Sequence, residues 1–572
     1  MSNRVGVRTE RLIVVCRADA TRRYDWLPAH RPGDLTIALD WMAHADLAGR
    51  DALLFDALQD WEERNAEEHR IAELMVALGE HPKLAAIELA GHRLIDFAEL
   101  RMRPEVTLLL RGWTLARAGA GARALICDPA AAPALLMGLR AGLGMDPESV
   151  PYTIPPALPG SRLKRSAARP LMRALAAGTR SGSVRVVAVA AGKLSLALAS
   201  LSHAELRSMG VGAMPFPGLD HGNSALLALR RGLPLLPGYG PSRVGRGPAV
   251  RLPERLELDG EAALDRALTL LVSRLLAGAA PELAHSIRAL DGLTRVRSLR
   301  ALLLPSAAYG ASRVLIEWAH ERGVRVGAMQ HGIYVFRDYD GGDRRADLLF
   351  GWGEGTAGQI NGWADPRPTV LPAGVPGTLV APPRPPVAPL RRALIATSSI
   401  LDTPLAPVAL CETFVEILAP GLRRLGAAGV ELELRPHPNE DPGRYRRLLD
   451  ALGLDVGVTA GGPFRATAQS ADILISSASS VAFEAAALGL PVLLWIGGAP
   501  EWVRRQHLVE PWIESLPGTF QGPGDFGSLI DALLERPVEG FGVARELSRS
   551  LARYAQPFDR DAFAEGLRLL GE

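Results

Sequence analysis

Apolar residues along this chain gather in short β-branched or leucine-rich runs, and stretches with helical spacing separate many of them. RLIVVC, from Arg11 to Cys16, reads as a buried strand. ALIC, from Ala124 to Cys127, reads as a second, ending at Asp128-Pro129. Helical periodicity runs between them from Asp40 to Leu78. Asp56, Asp60, Glu62, Glu63, Glu67 and Glu68 crowd its middle and read as a solvated helix face. Strands are then predicted at Val184 to Ala190, Leu299 to Leu304 and Val324 to Met329, with a helix from Ser312 to Arg322. The same rhythm restarts with strands at Ala393 to Ala396, Val430 to Leu434, Asp472 to Ser476 and Pro491 to Trp495. Helices are predicted at Val408 to Leu425, at Val481 to Leu488 and in a tail from Ala544 to Leu570. Such alternation implies βαβ units around parallel sheets, the α/β class.

Two segments interrupt the rhythm. Prolines at 151, 155, 156 and 159 lead into a basic run, Arg162, Lys164, Arg165, Arg169, Arg173 and Arg180. This is a loop entering a basic helix, either a solvated face or a contact for anionic lipid or a polyanionic acceptor. LVAPPRPPVAPL, residues 379–390, is the clearest boundary in the chain. It separates residues 1–378, with a candidate subdomain at 1–180, from residues 391–572. A chain of 572 residues exceeds one hydrophobic core, so more than one domain is expected. Two α/β units leave a cleft between them. In open parallel sheets, ligands bind beyond the carboxyl ends of the strands. Polar residues just after the predicted strands are therefore the candidates for chemistry.

Composition narrows the picture. Hydrophobic residues make up 48% and charged residues 22%, an ordinary globular mix. A net charge of +2 argues against a nucleic-acid partner. Cys16, Cys127 and Cys411 form no CxxC pair and no metal-ligand spacing, and the first two read as small core residues. The segment from Met1 to Arg11 is polar, with no signal-peptide core, and no window reaches the ~18 uninterrupted apolar residues of a membrane span. The expectation is a cytoplasmic protein, with the basic segment 162–180 as a candidate contact at the inner face of the cytoplasmic membrane.

Four constellations carry candidate chemistry. Gln330-His331-Gly332 follows a predicted strand. A histidine there suits proton removal near neutral pH, and Gly332 permits close backbone approach; the competing reading is a structural histidine. Arg435-Pro436-His437-Pro438-Asn439 follows the strand ELEL, where Arg435 and a proline-stiffened His437 either hold a phosphate leaving group or form a rigid turn. Ser476 to Glu484, SSASSVAFE, follows ADILI and opens a helix. Its serines and free N–H groups can cradle phosphate, Ser479 can equally be an N-cap, and Glu484 can accept from ribose hydroxyls. Arg344 to Gly353 reads as a strand ending in a glycine turn. With the later Pro372-Ala373-Gly374, it predicts loops bordering the cleft at Gly353 and Gly374.

In order, QHG, AD-LLFGWG, AGVP, RPHP and SSASSVAFEAAALGLPV resemble bacterial surface-polysaccharide transferases of the GT-B fold. The similarity is to Kdo and sialic-acid transferases of capsule and lipopolysaccharide assembly and to CDP-glycerol glycerophosphotransferases. It covers roughly residues 300–500; the first 300 residues match no family. The resemblance implies two Rossmann-like domains facing a cleft, with helical insertions in the N-terminal half and a terminal helix that crosses back. It implies that His437-Pro438 and Ser479-Ser480 hold the donor phosphate and that His331 is the catalytic base. The acidic-acidic-Gly motif of the sialyltransferase-like members has no convincing copy here, and Gln330 and Ala478 depart from the glycerophosphotransferase pattern.

The resulting expectation is a GT-B glycosyltransferase that needs no cofactor and no metal. It would move a sugar from a nucleotide-activated donor, best a CMP-linked Kdo- or sialic-acid-like sugar, to a surface-polysaccharide or lipid-linked glycan. Arg435, His437, Pro438, Ser479, Ser480 and Glu484 would bind the donor. His331, or Asp338, Asp340 or Asp343 in the following loop, would be the base. Asp338-Tyr339-Asp340 has the letters of a DxD metal site but follows the wrong element for one. A CDP-polyol phosphotransferase, a UDP-sugar transferase, a GT-B-like epimerase and a non-catalytic scaffold are the alternatives.

Overall fold

The computed structural model describes residues 9–16, 24, 26–58, 61–128, 131–151, 183–216, 219, 223–236, 255–307, 310–332, 345–363, 368–378, 389–397, 410–438, 440–477, 479–497 and 515–572. Asp338, Asp340, Asp343, the basic segment 162–180 and all but the last two residues of the proline-rich boundary lie outside them.

Three parallel sheets follow one another along the chain. The first holds β1 (Arg11–Val15), β2 (Asp34–Ala38), β3 (Leu53–Leu54) and β6 (Ala124–Cys127) in the order β3-β2-β1-β6. A small antiparallel hairpin, β4 (Glu88–Leu89) and β5 (His92–Arg93), stands apart. The continuous helix expected from Asp40 to Leu78 is corrected here. Asp40 caps a short helix, Trp41–Asp46, by accepting from the Ala43 N–H. Asp51 then turns into the left-handed region, and Leu53 and Leu54 pair with Ile37 and Ala38. The helix proper is Trp61–Glu80. Sheet pairing, a long-range interaction, overrides the local periodicity there.

The second sheet holds β7 (Val186–Ala188), β8 (Val211–Ala213), β9 (Ala301–Leu304), β10 (Arg325–Met329), β11 (Leu348–Gly351) and β12 (Thr369–Pro372) in the order β12-β11-β10-β9-β7-β8. A parallel bridge from Ala213 to Leu235 extends it beyond β8. Side chains alternate between its faces, as the period of a strand requires. Val187, Leu302, Leu304, Val326 and Ala328 join one core with the helices Leu94–Ala118, Pro133–Gly142, Ala262–Thr294 and Gly310–His320. Val186, Ala188, Ala301, Leu303, Met329 and Phe350 face a second core. The 33-residue helix Ala262–Thr294 is long and apolar enough to cross a membrane, with mean hydropathy 1.4 over its most apolar window, yet 56% of that window is buried inside the protein. Arg266, Arg274 and Glu282 interrupt its apolar sequence.

The third sheet holds β13 (Arg392–Ala396), β14 (Glu431–Arg435), β15 (Gly457–Val458), β16 (Ile473–Ser477), β17 (Val492–Trp495) and β18 (Thr519–Phe520) in the order β15-β14-β13-β16-β17-β18. Its first strand is flanked by its second and fourth, the Rossmann order. Counting the bridge at Leu235 as a strand, the second sheet has the same order, and the first sheet is its opening half. The α/β expectation and the parallel, doubly wound arrangement are thus observed directly.

The C-terminal tail is two helices, Pro537–Leu551 and Arg560–Gly571, rather than the single one expected from Ala544 to Leu570. The segment between them crosses to the second sheet. Gln556 donates to Trp352 O at 2.8 Å and accepts from the Val375 N–H at 2.9 Å. Gly355 donates to Arg553 O, and Asp559 to Ala373 O, each at 2.9 Å. The last helix then lies on the second sheet, with the Phe563 and Phe350 ring centroids 4.9 Å apart and Phe563, Leu567 and Leu570 buried. Extended backbone hydrogen-bonded to another element cannot also continue a helix.

The crossing needs space that only glycine leaves. A Cβ on Gly353 would stand 2.4 Å from Arg553 O, and one on Gly374, whose φ is +75°, 2.1 Å from Pro557 O. Gly374→Ala is therefore expected to destabilise the protein by about 2 kcal/mol or more and to lower its melting temperature. Gly358→Ala, in the helix Glu354–Trp363 with open space around its Cβ, should be neutral or stabilising by up to about 1 kcal/mol. Equal effects in parallel thermal melts would contradict the crossing geometry.

Candidate functional site

A Rossmann-type sheet binds ligands where the strand order reverses, beyond the carboxyl ends of its strands. In the second sheet that point lies after β7 and β9, and in the third after β13 and β16. The residues after β7 and β10 meet those after β16.

Gln330 follows β10 and is fully buried, so it does not line an open cleft as its loop position suggested. Its backbone N–H donates to Phe350 O at 3.1 Å. Its Oε1 accepts from the Trp352 backbone N–H at 2.6 Å and from Thr356 Oγ1 at 3.0 Å. Its Nε2 donates to Gly332 O at 2.9 Å, and its own carbonyl accepts from Trp352 Nε1 at 2.7 Å. Every polar function of this amide is engaged, which fixes the His331-Gly332 turn and the Trp352 indole. Gly353 and Gly374, also expected at the cleft, are buried beneath the crossing segment instead.

His331 and Gly332 are partly exposed, and Gly332 faces the third sheet's unit. A Cβ on Gly332 would lie 3.1 Å from Ser480 Oγ. Ser480 opens the helix Ser480–Ala487, and Ser479 is its N-cap, with Oγ accepting from the Val481 N–H at 3.4 Å. Ser479 supports the helix start, while Ser480 meets the glycine across the junction. Ser477, at the end of β16, is buried, and its hydroxyl makes no hydrogen bond among the described residues. One turn into the helix, Glu484 Oε2 meets Lys193 Nζ at 2.8 Å. Lys193 starts the helix Gly192–Ala199, directly after β7, and its ammonium lies 5.3 Å from the Trp352 ring centroid. Sequence reading missed Lys193; the available signal was a charged residue immediately after an apolar strand.

The RPHPNE loop after β14 is held from beneath. Glu440 is buried. Its Oε2 accepts from the His437 backbone N–H at 2.7 Å and from the Thr397 hydroxyl at the end of β13. Its Oε1 accepts from Tyr445 Oη at 3.0 Å and from the Cys411 thiol. Glu440 was also missed, although it ends the same motif. It ties the loop to β13 and to the helices Leu410–Ala427 and Pro442–Ala451. His437 is half-buried, and burial lowers its pKa from the ordinary 6.5. Pro438 is exposed beside it. Arg435 donates to Thr467 Oγ1 at 2.8 Å and to Gly462 O at 2.5 Å, so its guanidinium braces the neighbouring loop. Asn439 and Ala478 lie outside the described residues, and among the described residues no three His, Cys, Asp or Glu side chains cluster as a metal site.

Two Rossmann-type units that touch at their switch points, with the last helix returned onto the first of them, form a GT-B arrangement. No protein-family model matches the chain, and no curated protein matches it. Among solved structures, the chain is similar to Acinetobacter baumannii MurG at 13% identity, over 68% of this chain and 99% of that one, with a TM-score of 0.36. It is similar to the glycosyltransferase SnogD of Streptomyces nogalater at 16% identity, over 68% and 99%, with a TM-score of 0.38. It is also similar to the wall teichoic acid polymerase TagF at 10% identity, over 72% and 95%, with a TM-score of 0.35. Scores this low leave the functional reading to rest on the chain's own residues.

Two outcomes check this geometry. Because the folded pKa of His437 is depressed, the unfolded chain binds more protons as pH falls from 6.5 toward the folded value. His437 thus contributes stability that is fully present above 6.5 and declines as pH falls below it. An NMR titration should place its midpoint below 6.5; a midpoint at or above that value contradicts the burial. Glu440→Gln removes one of two acceptor oxygens: an NH₂ at the Oε2 position faces the His437 N–H, and at Oε1 it forces the Tyr445 and Cys411 protons to turn away. It should cost about 1–3 kcal/mol in urea unfolding with an unchanged m value, and a loss under about 0.5 kcal/mol would contradict the network.

Proposed function

We propose that the chain is a glycosyltransferase that takes a nucleotide-activated sugar in its C-terminal unit and a glycan acceptor against its N-terminal unit. The observation that carries this reading is the meeting of the two switch points, where Gly332 approaches Ser480 and Lys193 pairs with Glu484. A donor lying at one switch point is then within reach of side chains presented by the other. In this reading the helix start at Ser479 and Ser480 takes the donor phosphate, with the unsatisfied Ser477 hydroxyl buried just before it. His437, on its braced loop, contacts the same leaving group, and Arg435 acts through that loop. Glu484 accepts from the ribose. His331 removes the acceptor proton, with Asp338 and Asp340 as the alternative bases; the depressed pKa of His437 suits a neutral hydrogen-bonding role rather than a fixed cation.

The donor we favour is a CMP-linked Kdo- or sialic-acid-like sugar, following the RPHP and serine-pair motifs; CDP-polyol and UDP-sugar donors are the alternatives. The acceptor would be a surface-polysaccharide or lipid-linked glycan met on the cytoplasmic side, with residues 162–180 as a membrane contact.

Calorimetric titration with CMP, CDP, UDP and GDP, with and without Mg²⁺, tests this. Selective CMP binding that weakens about 10-fold or more in His437→Ala supports the favoured donor. Preference for CDP or UDP moves the donor to the alternatives. His331→Ala should keep nucleotide affinity and lower turnover by about 10²–10⁴-fold. A chain that binds no nucleotide, and whose histidine variants leave polysaccharide assembly unchanged in the cell, would be a scaffold.

A further inference from the structure

We propose that Lys193 is a donor-binding residue that exchanges partners: it holds Glu484 when no donor is bound and passes to the donor phosphate when the ribose takes Glu484. The inference rests on the functional reading above and adds a residue from the opposite unit.

Three observations lead to it. First, the Glu484 carboxylate proposed to receive the ribose is already occupied, with Lys193 Nζ at 2.8 Å. A ligand hydroxyl cannot take that oxygen without displacing or sharing the ammonium. Second, the pair is weak enough to exchange. Its side chains retain 22% and 21% of their exposure, and ion pairs with access to water contribute little. A phosphate oxygen accepting from the ammonium makes a hydrogen bond of the same charge-assisted kind, so the ammonium loses nothing in kind by changing partner. Third, the ammonium has a resting place that does not depend on Glu484. It lies over the Trp352 ring at 5.3 Å, and Trp352 is fully buried and locked through both its backbone N–H and its indole N–H by Gln330. A cation over an aromatic face remains attracted when its anion leaves.

The distance to be covered is short. Glu484 lies four residues into the helix from Ser480, about 6 Å along the axis at 1.5 Å per residue. Rotation about the side-chain torsions of a lysine moves its ammonium by distances of that order. The exchange keeps the ammonium ion-paired, passing it from a carboxylate to a phosphate, while the part-exposed carboxylate trades its cation for two neutral hydroxyl donors. It gives the second sheet's unit a contact to the donor's leaving group, so phosphate recognition depends on both units.

The test compares the nucleotide that the wild-type chain binds most tightly, CMP for the favoured donor, with its own nucleoside, by ligand-observed NMR titration on the full chain. Lys193→Met keeps the apolar stem over Trp352 and removes the charge. Lys193→Gln provides a second neutral variant should the first fold poorly. The expected result is a loss of about 10-fold or more in nucleotide affinity, with nucleoside affinity unchanged or higher because Glu484 is released. The ratio of the two affinities therefore collapses. A ratio that stays the same, because both affinities fall together or neither moves, overturns the exchange and leaves Lys193 as a structural tie. A wild-type chain that binds no nucleotide overturns the functional reading itself, which distinguishes that failure from this one.

Discussion

The return of the chain from Arg553 to Asp559 across the second sheet is the constraint on which the rest depends. It leaves a turn at Arg553 and Tyr554 and runs on without helix to Asp559, with its backbone hydrogen-bonded to Trp352, Ala373, Val375 and Gly355. Backbone hydrogen bonds need close approach, and here the approach is tighter than any Cβ allows at Gly353 and Gly374. Once those contacts form, the last helix is delivered onto the Phe350 face, and the two Rossmann-type units are joined by a second connection besides the one at 379–390. A core cluster then straddles the junction, with Trp352 and Val375 packed among Leu394, Ala396, Phe483 and Tyr554. The switch points face each other because the backbone on either side of them is pinned.

Within that frame, the side chains at the junction divide into fixed and exchangeable ones. Gln330 is fixed: buried, with its amide and backbone engaged on four partners, it converts the end of β10 into a rigid platform for His331 and Gly332. Glu440 does the same for the His437 loop in the other unit, joining three elements through one buried carboxylate. Both are unsuited to direct ligand contact because water and ligand cannot reach them. Lys193, Glu484, Ser480, His331 and His437 keep partial exposure. Buried, hydrogen-bonded supports of this kind fix the orientation of the partly exposed groups they carry.

The apolar runs of the sequence determined the α/β class, because parallel strands buried on both faces must be continuously hydrophobic. Helical spacing placed the helices Leu410–Ala427 and Ser480–Ala487 of the last unit, whereas Pro442–Ala451, Phe464–Ser470 and Pro523–Glu535 were not predicted. The ordered motifs after β10, β14 and β16 were candidates for polar chemistry because residues that follow parallel strands lie at the carboxyl edge of the sheet. His331, His437 and the serine pair were legible for that reason. Tertiary structure alone decided what those positions do. It broke the apparent helix from Asp40 to Leu78 by pairing Leu53 with Ile37, and it broke the C-terminal helix by drawing Val375 and Gln556 together. It turned Gln330 inward, placed Gly353 and Gly374 under a crossing strand rather than at an opening, and brought Lys193 to Glu484 across 291 positions of chain. Local spacing reports which face of an element is apolar, whereas partners this distant in sequence are chosen only by how whole sheets pack, and no periodicity records that choice.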